Sequence, residues 1–268
     1  MFDRSRNERF GCGCYRCNNS DRGQSTSGSP GECLDKIARE LEINDIEEFR
    51  DVHPGAAVEQ LASRASENGH LRYTALGPCT SGADMNFSQL KSSYLNLVRK
   101  HRGDVDFSVE DFCASVQHHV TRHLVSKLHN CLEYLHSSEE LSSIKHLVLS
   151  GGVAANGYIC NAISKLASFH GLEVIKVPPR LCTDNAEMIA WNGILCLREN
   201  SSNIHRYPEI PESVYAHARF PIGTCSRSLV PSKPKRRLGI TTVHGDMPLK
   251  VFDMDRLRQQ EAGALLTG

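Results

Sequence analysis

The 268-residue sequence has no long apolar run and no excess of charge of either sign. No stretch approaches the ~20 apolar residues that a membrane-spanning helix requires, so no membrane insertion is expected. Lys plus Arg and Asp plus Glu both total 31, so any contact with nucleic acid must come from a local basic patch. The 11 cysteines are an odd number without the spacing of a disulfide framework, which favours a reducing compartment over a small secreted fold.

Residues 1–29 have almost no aliphatic side chains and follow neither a helical nor a strand period. This composition predicts a disordered segment or a separate appendage. Asp3 and Glu8 are atypical of a basic mitochondrial presequence, so this segment gives no targeting signal. Cys12, Cys14 and Cys17 could supply half of a zinc knuckle, but no second Cys or His pair follows at finger spacing, and zinc is the less favoured interpretation.

The middle of the chain predicts helices, and the part after it predicts strands that alternate with helices. The order strand, glycine turn, helix, strand and helix indicates α/β packing with parallel strands. Hydrophobic spacing places helices over 30–43, 55–66, 88–101, 109–135, 155–167 and 184–198, and strands over 146–150 and 172–177. Residues 228–268 read as a basic, poorly ordered tail, and Lys233, Lys235, Arg236 and Arg237 there are either an RNA contact or a solvated linker.

The segment HLVLSGGVAAN predicts a strand that runs through two glycines into a helix. Such a turn lets backbone amides approach a nucleotide at a helix N-terminus, and Asn156 would lie in the first turn of that helix. The same pattern also fits an ordinary tight turn between a strand and a helix. The glycines alone do not decide between these interpretations.

Asp184 lies before a predicted helix, where a carboxylate could bind a divalent metal. The spacing of Asp184 and Glu187 also fits a capping box, which would satisfy the free amides of that helix. His119 and His123 on the long central helix could share a metal, with His118 beside them. A solvated or half-buried helix face is the favoured interpretation of these histidines, because two imidazoles without an acidic base are a weak zinc signal.

Taken together, several segments resemble the universal tRNA threonylcarbamoyladenosine synthase family, most closely its mitochondrial branch. The segments occur in the family's order and are PGECLDKIARE, HPGAAVEQLA, DMNFSQLK, SGGVAAN and PPRLCTDNAEMIAWNG. The resemblance implies an α/β fold, a lobe of the actin-like ATPase (ribonuclease H-like) class with an inserted helical segment. It covers residues 30–227, preceded by an appendage outside the family over 1–29.

The resemblance implies transfer of a threonylcarbamoyl group from threonylcarbamoyl-AMP to N6 of adenosine 37 in tRNAs that read codons starting with A. Asp35 matches the family's ribose contact, Gly55 its ligand-touching glycine, Asn156 its nucleotide-binding asparagine, and Asp184 its metal-binding aspartate. One divalent metal per subunit, a homodimer and residence in mitochondria are further implications. The family shows no obligatory covalent enzyme intermediate, so no catalytic nucleophile is assigned.

The family's N-terminal lobe carries an HxxxH metal pair and an SGGHT phosphate loop, and neither precedes Pro30 in this sequence. We therefore expect that lobe to be largely missing from the chain. The alternative function is a non-catalytic nucleotide-binding or dimerisation module. A sugar kinase of the same superfamily is disfavoured by the CLDK and CTDN segments, and a protease by the lack of a recognisable catalytic arrangement.

Overall fold

Helices dominate the computed structural model, which describes residues 20–139, 143–182, 185–198, 205, 208, 213, 224–233, 236–240 and 249–253. Short strands accompany them. The helices are α1 (Pro30–Glu40), α2 (Pro54–Ala62), α3 (Phe87–His101), α4 (Val109–Ser137), α5 (Gly157–Phe169) and α6 (Ala186–Arg198). The strands are β1 (Ser20–Asp21), β2 (Ser25–Ser27), β3 (Met85–Asn86), β4 (His146–Leu149), β5 (Glu173–Lys176), β6 (Thr224–Cys225), β7 (Arg236–Ile240) and β8 (Leu249–Asp253).

Side-chain caps fix the starts of the helices. Ser29 accepts a hydrogen bond from the Glu32 amide at 3.1 Å at the start of α1, where Pro30, which has no amide hydrogen, leaves no donor unpaired. Asn86 and Ser108 accept the corresponding bonds at the starts of α3 and α4. These helices therefore begin within a residue of the positions that the sequence predicts.

The 29-residue helix α4 lies at the centre of the fold and is contacted by most other helices. Its buried residues include apolar ones such as Phe112 and polar ones such as Asn130. Tyr94 of α3 is fully buried against it and donates its hydroxyl proton toward the Tyr73 and Ser115 carbonyls at 3.1 and 2.9 Å. None of the described helices is both long and apolar enough to cross a bilayer.

Strands β4 and β5 pair in parallel, with His146 opposite Glu173 and Leu149 opposite Lys176. Helix α5 connects them, which confirms the predicted strand, turn, helix and strand. The turn after β4 passes through Gly151 at φ 105°, a conformation that favours glycine, and a short 3-10 turn over Gly152–Ala155 then leads into α5.

Short β-ladders occur in residues 20–27, 236–240 and 249–253, where the sequence predicts an appendage and a poorly ordered tail. Strand β1 pairs with β6 and β2 pairs with β3, so residues 20–27 of the predicted appendage pair with later strands, while residues 1–19 lie outside the described residues. In the predicted tail, β7 pairs with β8 in an antiparallel ladder. The β1 and β2 segments consist of polar residues and pair through backbone groups, so they leave no hydrophobic period in the sequence.

Candidate nucleotide-binding site

Helices α1 and α2 bring Asp35 and Gly55 together. A β-carbon on Gly55 would lie 3.4 Å from Asp35 Oδ1, an ordinary van der Waals distance. His53 caps α2 by accepting the Gly55 amide proton on Nδ1 at 3.2 Å, and the same nitrogen lies 3.8 Å from Asp35 Oδ1. Sequence reasoning missed His53, although its position before Pro54 at a helix start was the available signal.

Asn156 is the N-cap of α5 rather than a residue of its first turn. Its Oδ1 accepts the Ile159 amide proton at 3.0 Å and a proton from Gln117 Nε2 at 3.3 Å. Asn156 and Gln117 are 6% and 3% exposed, so the second bond joins the glycine turn to the centre of α4 inside the protein. Gln117 had no distinguishing signal in the sequence.

A further contact joins α2 to the start of α5. Glu59 lies one helical turn after Gly55 on α2, and its Oε1 accepts the Gly157 amide proton at 2.7 Å, directly after Asn156. A β-carbon on Gly31 of α1 would lie 3.4 Å from Val153 in the same turn. The starts of α1, α2 and α5 therefore meet, and the predicted residues Asp35, Gly55 and Asn156 lie in one neighbourhood.

Three buried polar atoms in this neighbourhood have no hydrogen-bond partner in the described part of the chain. They are Asp35 Oδ1, Gln117 Oε1 and Asn156 Nδ2. Buried polar atoms in folded proteins are nearly always paired, because an unpaired one costs about 1–3 kcal/mol. The neighbourhood thus contains two acceptor atoms and one donor atom whose hydrogen bonds are unmade within the described residues.

Asp184 lies outside the described residues, so its predicted metal contact stays a prediction. The start of α6 is nevertheless defined, because Asn185 Oδ1 accepts the Met188 amide proton at 2.9 Å. Asn185 therefore supplies the cap that the capping-box interpretation gave to Asp184. Glu187 Oε2 lies 3.6 Å from Arg180 Nη1 in an exposed ion pair.

Of the histidines predicted to lie on a solvated or half-buried face of α4, His119 is half-buried, whereas His118 and His123, which are 3% and 8% exposed, are more deeply buried than predicted. His119 Nδ1 contacts the Tyr94 hydroxyl at 2.6 Å, whereas His123 Nε2 accepts the Asn86 amide proton at 3.1 Å. These nitrogens serve different partners, and within the described ranges neither His119 nor His123 belongs to a group of three potential metal ligands.

Burial lowers the pKa of His118 to about 3, assisted by His119 and His70 nearby. Burial also lowers the pKa of His123 to about 4, with Lys127 contributing. Both imidazoles are therefore neutral near pH 7. His118 Nδ1 lies 3.2 Å from the Tyr158 hydroxyl. His118 and His123 are therefore part of the buried packing next to the candidate site.

A separate group of potential metal ligands lies toward the other end of α5. His129, Glu133 and His170 have donor atoms that all lie within 4.8 Å of one another. Sequence reasoning missed this group. The spacing of His129 and Glu133, four residues apart on a helix, was the one local signal, since His170 joins them through tertiary packing.

The sequence was compared with families of known proteins. A family model described as tRNA N6-adenosine threonylcarbamoyltransferase matches residues 15–191, which is more than half of the chain. This chain belongs to the tRNA N6-adenosine threonylcarbamoyltransferase family. The match extends before Pro30 and includes the segments that contain Asp35, Gly55, Asn156 and Asp184.

Curated members of the threonylcarbamoyltransferase family give the same picture. A probable mitochondrial tRNA N6-adenosine threonylcarbamoyltransferase of Caenorhabditis elegans is 49% identical over 244 residues, covering 90% of this chain and 57% of the relative. The mitochondrial enzyme of Mus musculus is 34% identical over 199 residues, covering 70% of this chain and 47% of the relative. A relative from Orientia tsutsugamushi (strain Ikeda) is 32% identical over 197 residues, covering 72% and 55%.

The chain thus spans about half the length of the threonylcarbamoyltransferases that it matches. The family implies an actin-like, ribonuclease H-like fold, and the mixed α/β, helix-rich structure is consistent with it. Members of the family generally use a metal ion.

Proposed function

We propose that this protein transfers the threonylcarbamoyl group from threonylcarbamoyl-AMP to N6 of adenosine 37 in tRNAs that read codons starting with A. Family membership supports this reaction. The observation that supports it is that α1 and α2 bring Asp35 close to Gly55 while Glu59 of α2 bonds to the residue after Asn156, and that Asp35, Gln117 and Asn156 each have a buried polar atom without a partner among the described residues.

Each of these residues has a role that its chemistry supports. The carboxylate of Asp35 accepts hydrogen bonds from ribose hydroxyls, and the amide of Asn156 donates one to the nucleotide. Gly55 leaves space beside Asp35, since the protein itself would tolerate a methyl group there. The site therefore binds and orients the adenylate, while the tRNA amine attacks the carbamoyl carbon and AMP leaves.

Asp184 is the residue that we propose as a metal ligand near the adenylate, because a carboxylate suits a hard or borderline divalent cation. Such a cation would polarise the mixed anhydride of the substrate.

We further propose that residues 30–227 form one lobe of an actin-like ATPase fold, with the helices before β4 as an inserted segment. The ladders of β1 and β2 attach the residues immediately before this lobe. The relatives from Caenorhabditis elegans and Mus musculus carry the word mitochondrial in their names, and we propose the same location for this protein. A homodimer stays a prediction.

The test is formation of the modified nucleoside. The full translation product of the transcript is incubated with threonylcarbamoyl-AMP and an unmodified tRNA transcript, and N6-threonylcarbamoyladenosine is measured by mass spectrometry after digestion. We expect product with the wild-type protein and a substantial loss with Asp35→Ala, while a tRNA with guanosine at position 37 stays unmodified. Absence of product from folded protein and authentic substrate would contradict the proposed reaction.

A further inference from the structure

His129, Glu133 and His170, here called the α4–α5 cluster, are buried together away from the adenylate site. His129 and Glu133 are 1% and 6% exposed, and the side chain of His170 is 1% exposed. Asn156 and His170 flank the 13-residue helix α5, which places the cluster roughly 20 Å from the nucleotide-binding asparagine. The α4–α5 cluster therefore belongs to a different part of the molecule from the proposed reaction.

Local structure fixes the three backbones of the cluster. His129 and Glu133 are four residues apart on α4, so their side chains leave the same face of the helix. His170 is the C-cap of α5 and precedes Gly171, whose φ of +71° allows the chain to turn sharply. The Leu172 amide then donates to the Ala167 carbonyl at 2.9 Å, which closes a Schellman motif around His170.

The donor atoms have the spacing of ligands to one small cation. His129 Nδ1 and His170 Nε2 lie 3.2 Å apart. Two imidazole nitrogens on a tetrahedral zinc ion, each bound at about 2.0–2.1 Å, are roughly 3.3 Å apart. Glu133 Oε1 lies 3.9 Å from His170 Nε2, and a small rotation of this side chain would bring it to the same ion.

We propose that the α4–α5 cluster binds one divalent transition metal of the zinc class through His129 Nδ1, His170 Nε2 and a carboxylate oxygen of Glu133. Two imidazoles with one carboxylate are a donor set of known zinc sites, with water completing the tetrahedron. Calcium and magnesium favour sites built from oxygen ligands and do not fit two nitrogens. The ion joins the C-terminal half of α4 to the end of α5 and so stabilises the packing of α5.

The competing account is a hydrogen-bonded network without metal, in which one proton is shared between the two imidazoles. Both accounts place the same atoms close together, but they differ in metal content and in the dependence of stability on zinc. A ligand that binds the folded protein but not the unfolded chain raises the melting temperature, and the rise grows with the logarithm of the ligand concentration. A network without metal gives no such dependence.

The experiment uses the full chain, freed of metal by a chelator and titrated with zinc chloride. Bound zinc is counted by mass spectrometry, and the melting temperature is followed. We compare the wild type with His129→Gln and His170→Gln. The matched control is His146→Gln, since His146 also lies beside a carboxylate, with Nε2 3.4 Å from Glu173 Oε2, but is exposed.

We expect each cluster variant to bind one zinc equivalent fewer than the wild type, or to bind it at least about 100-fold more weakly, and to lose the zinc-dependent rise in melting temperature. The control should match the wild type. Asp184→Asn should keep the zinc of the α4–α5 cluster even if it abolishes the proposed reaction, so the two proposals fail separately. Equal zinc content and equal melting shifts in the cluster variants and the wild type would overturn the metal site.

If the histidine variants fail to fold, a second measurement tests the metal site. Anomalous scattering at the zinc edge from crystals of the wild-type protein grown with zinc locates the ion directly. A peak between the three side chains supports the proposal. Its absence from crystals that contain zinc elsewhere overturns the proposal.

Discussion

Asn156 carries two functions that substitutions can separate. Its Oδ1 caps α5 and accepts from Gln117, while its Nδ2 has no partner among the described residues and is the donor that we propose for the nucleotide. Asn156→Ala removes both functions. We expect it to lower the free energy of unfolding by about 1–2 kcal/mol, from the lost cap and the unpaired Gln117 amide.

Asn156→Ser is the matched variant, because serine caps helices about as well as asparagine but has no amide donor. It should lower the free energy of unfolding by less than about 1 kcal/mol. Both variants lose one neutral hydrogen bond to the nucleotide, worth about 0.5–1.5 kcal/mol, which corresponds to a roughly twofold to tenfold weaker affinity.

The assay pairs urea unfolding with calorimetric titration of AMP on the same preparations. The expected pattern is a stability loss that is larger in the alanine variant and an affinity loss that is similar in both. If the serine variant binds AMP as tightly as the wild type, the Nδ2 group does not contact the ligand. If the alanine variant unfolds at the wild-type urea concentration, the cap is not stabilising and the reasoning fails.

Other predictions use the same two assays. Gly55→Ala should leave the free energy of unfolding within about 0.5 kcal/mol of the wild type, since the nearest atom lies at an ordinary 3.4 Å, but should weaken AMP binding; unchanged binding would exclude Gly55 from the ligand surface. Leu166→Ala should cost about 2–5 kcal/mol because Leu166 is fully buried, whereas Leu76→Ala, 81% exposed, should cost little, and equal costs would contradict the described core. The His118 pKa of about 3 lies below its value near 6.5 in the unfolded chain, so the unfolded state takes up the proton first and stability falls as pH drops from 6.5 toward 3. When the pH is lowered from about 7.5 to about 5, the free energy of unfolding of the wild type should fall by up to about 2 kcal/mol more than that of His118→Gln. Equal decreases for the two proteins in urea unfolding would contradict a neutral buried imidazole.

The sequence predicts the helices well because their signals are local. Ser29, Asn86 and Ser108 are capping residues directly before amphipathic segments, and the structure uses all of them as caps. The parallel pairing of β4 with β5 follows from the glycine turn and the helix between them. Asp35 and Gly55 were found through the family resemblance, and packing of α1 on α2 places them together.

The features that sequence reasoning missed depend on tertiary contacts. Helix α4 is surrounded by other elements, so a polar residue such as His118 is buried as deeply as an apolar one, and hydrophobic periodicity does not reveal it. Asp184 and Asn185 are both able to cap a helix, and spacing alone does not reveal that Asn185 caps α6. The α4–α5 cluster draws His170 from a residue 41 positions away from His129, which no local pattern encodes.

The most direct test of the central claim is calorimetric titration of AMP into the purified protein and into Asp35→Ala. Asp45→Ala serves as the control, since Asp45 is an exposed aspartate nearby in the sequence. We expect the wild type and the control to bind AMP with the same affinity, and Asp35→Ala to bind it at least about tenfold more weakly, because hydrogen bonds to a charged acceptor are worth about 1.5–3 kcal/mol. Equal affinities for all three proteins, or no binding by the folded wild type, would contradict an adenylate site at Asp35.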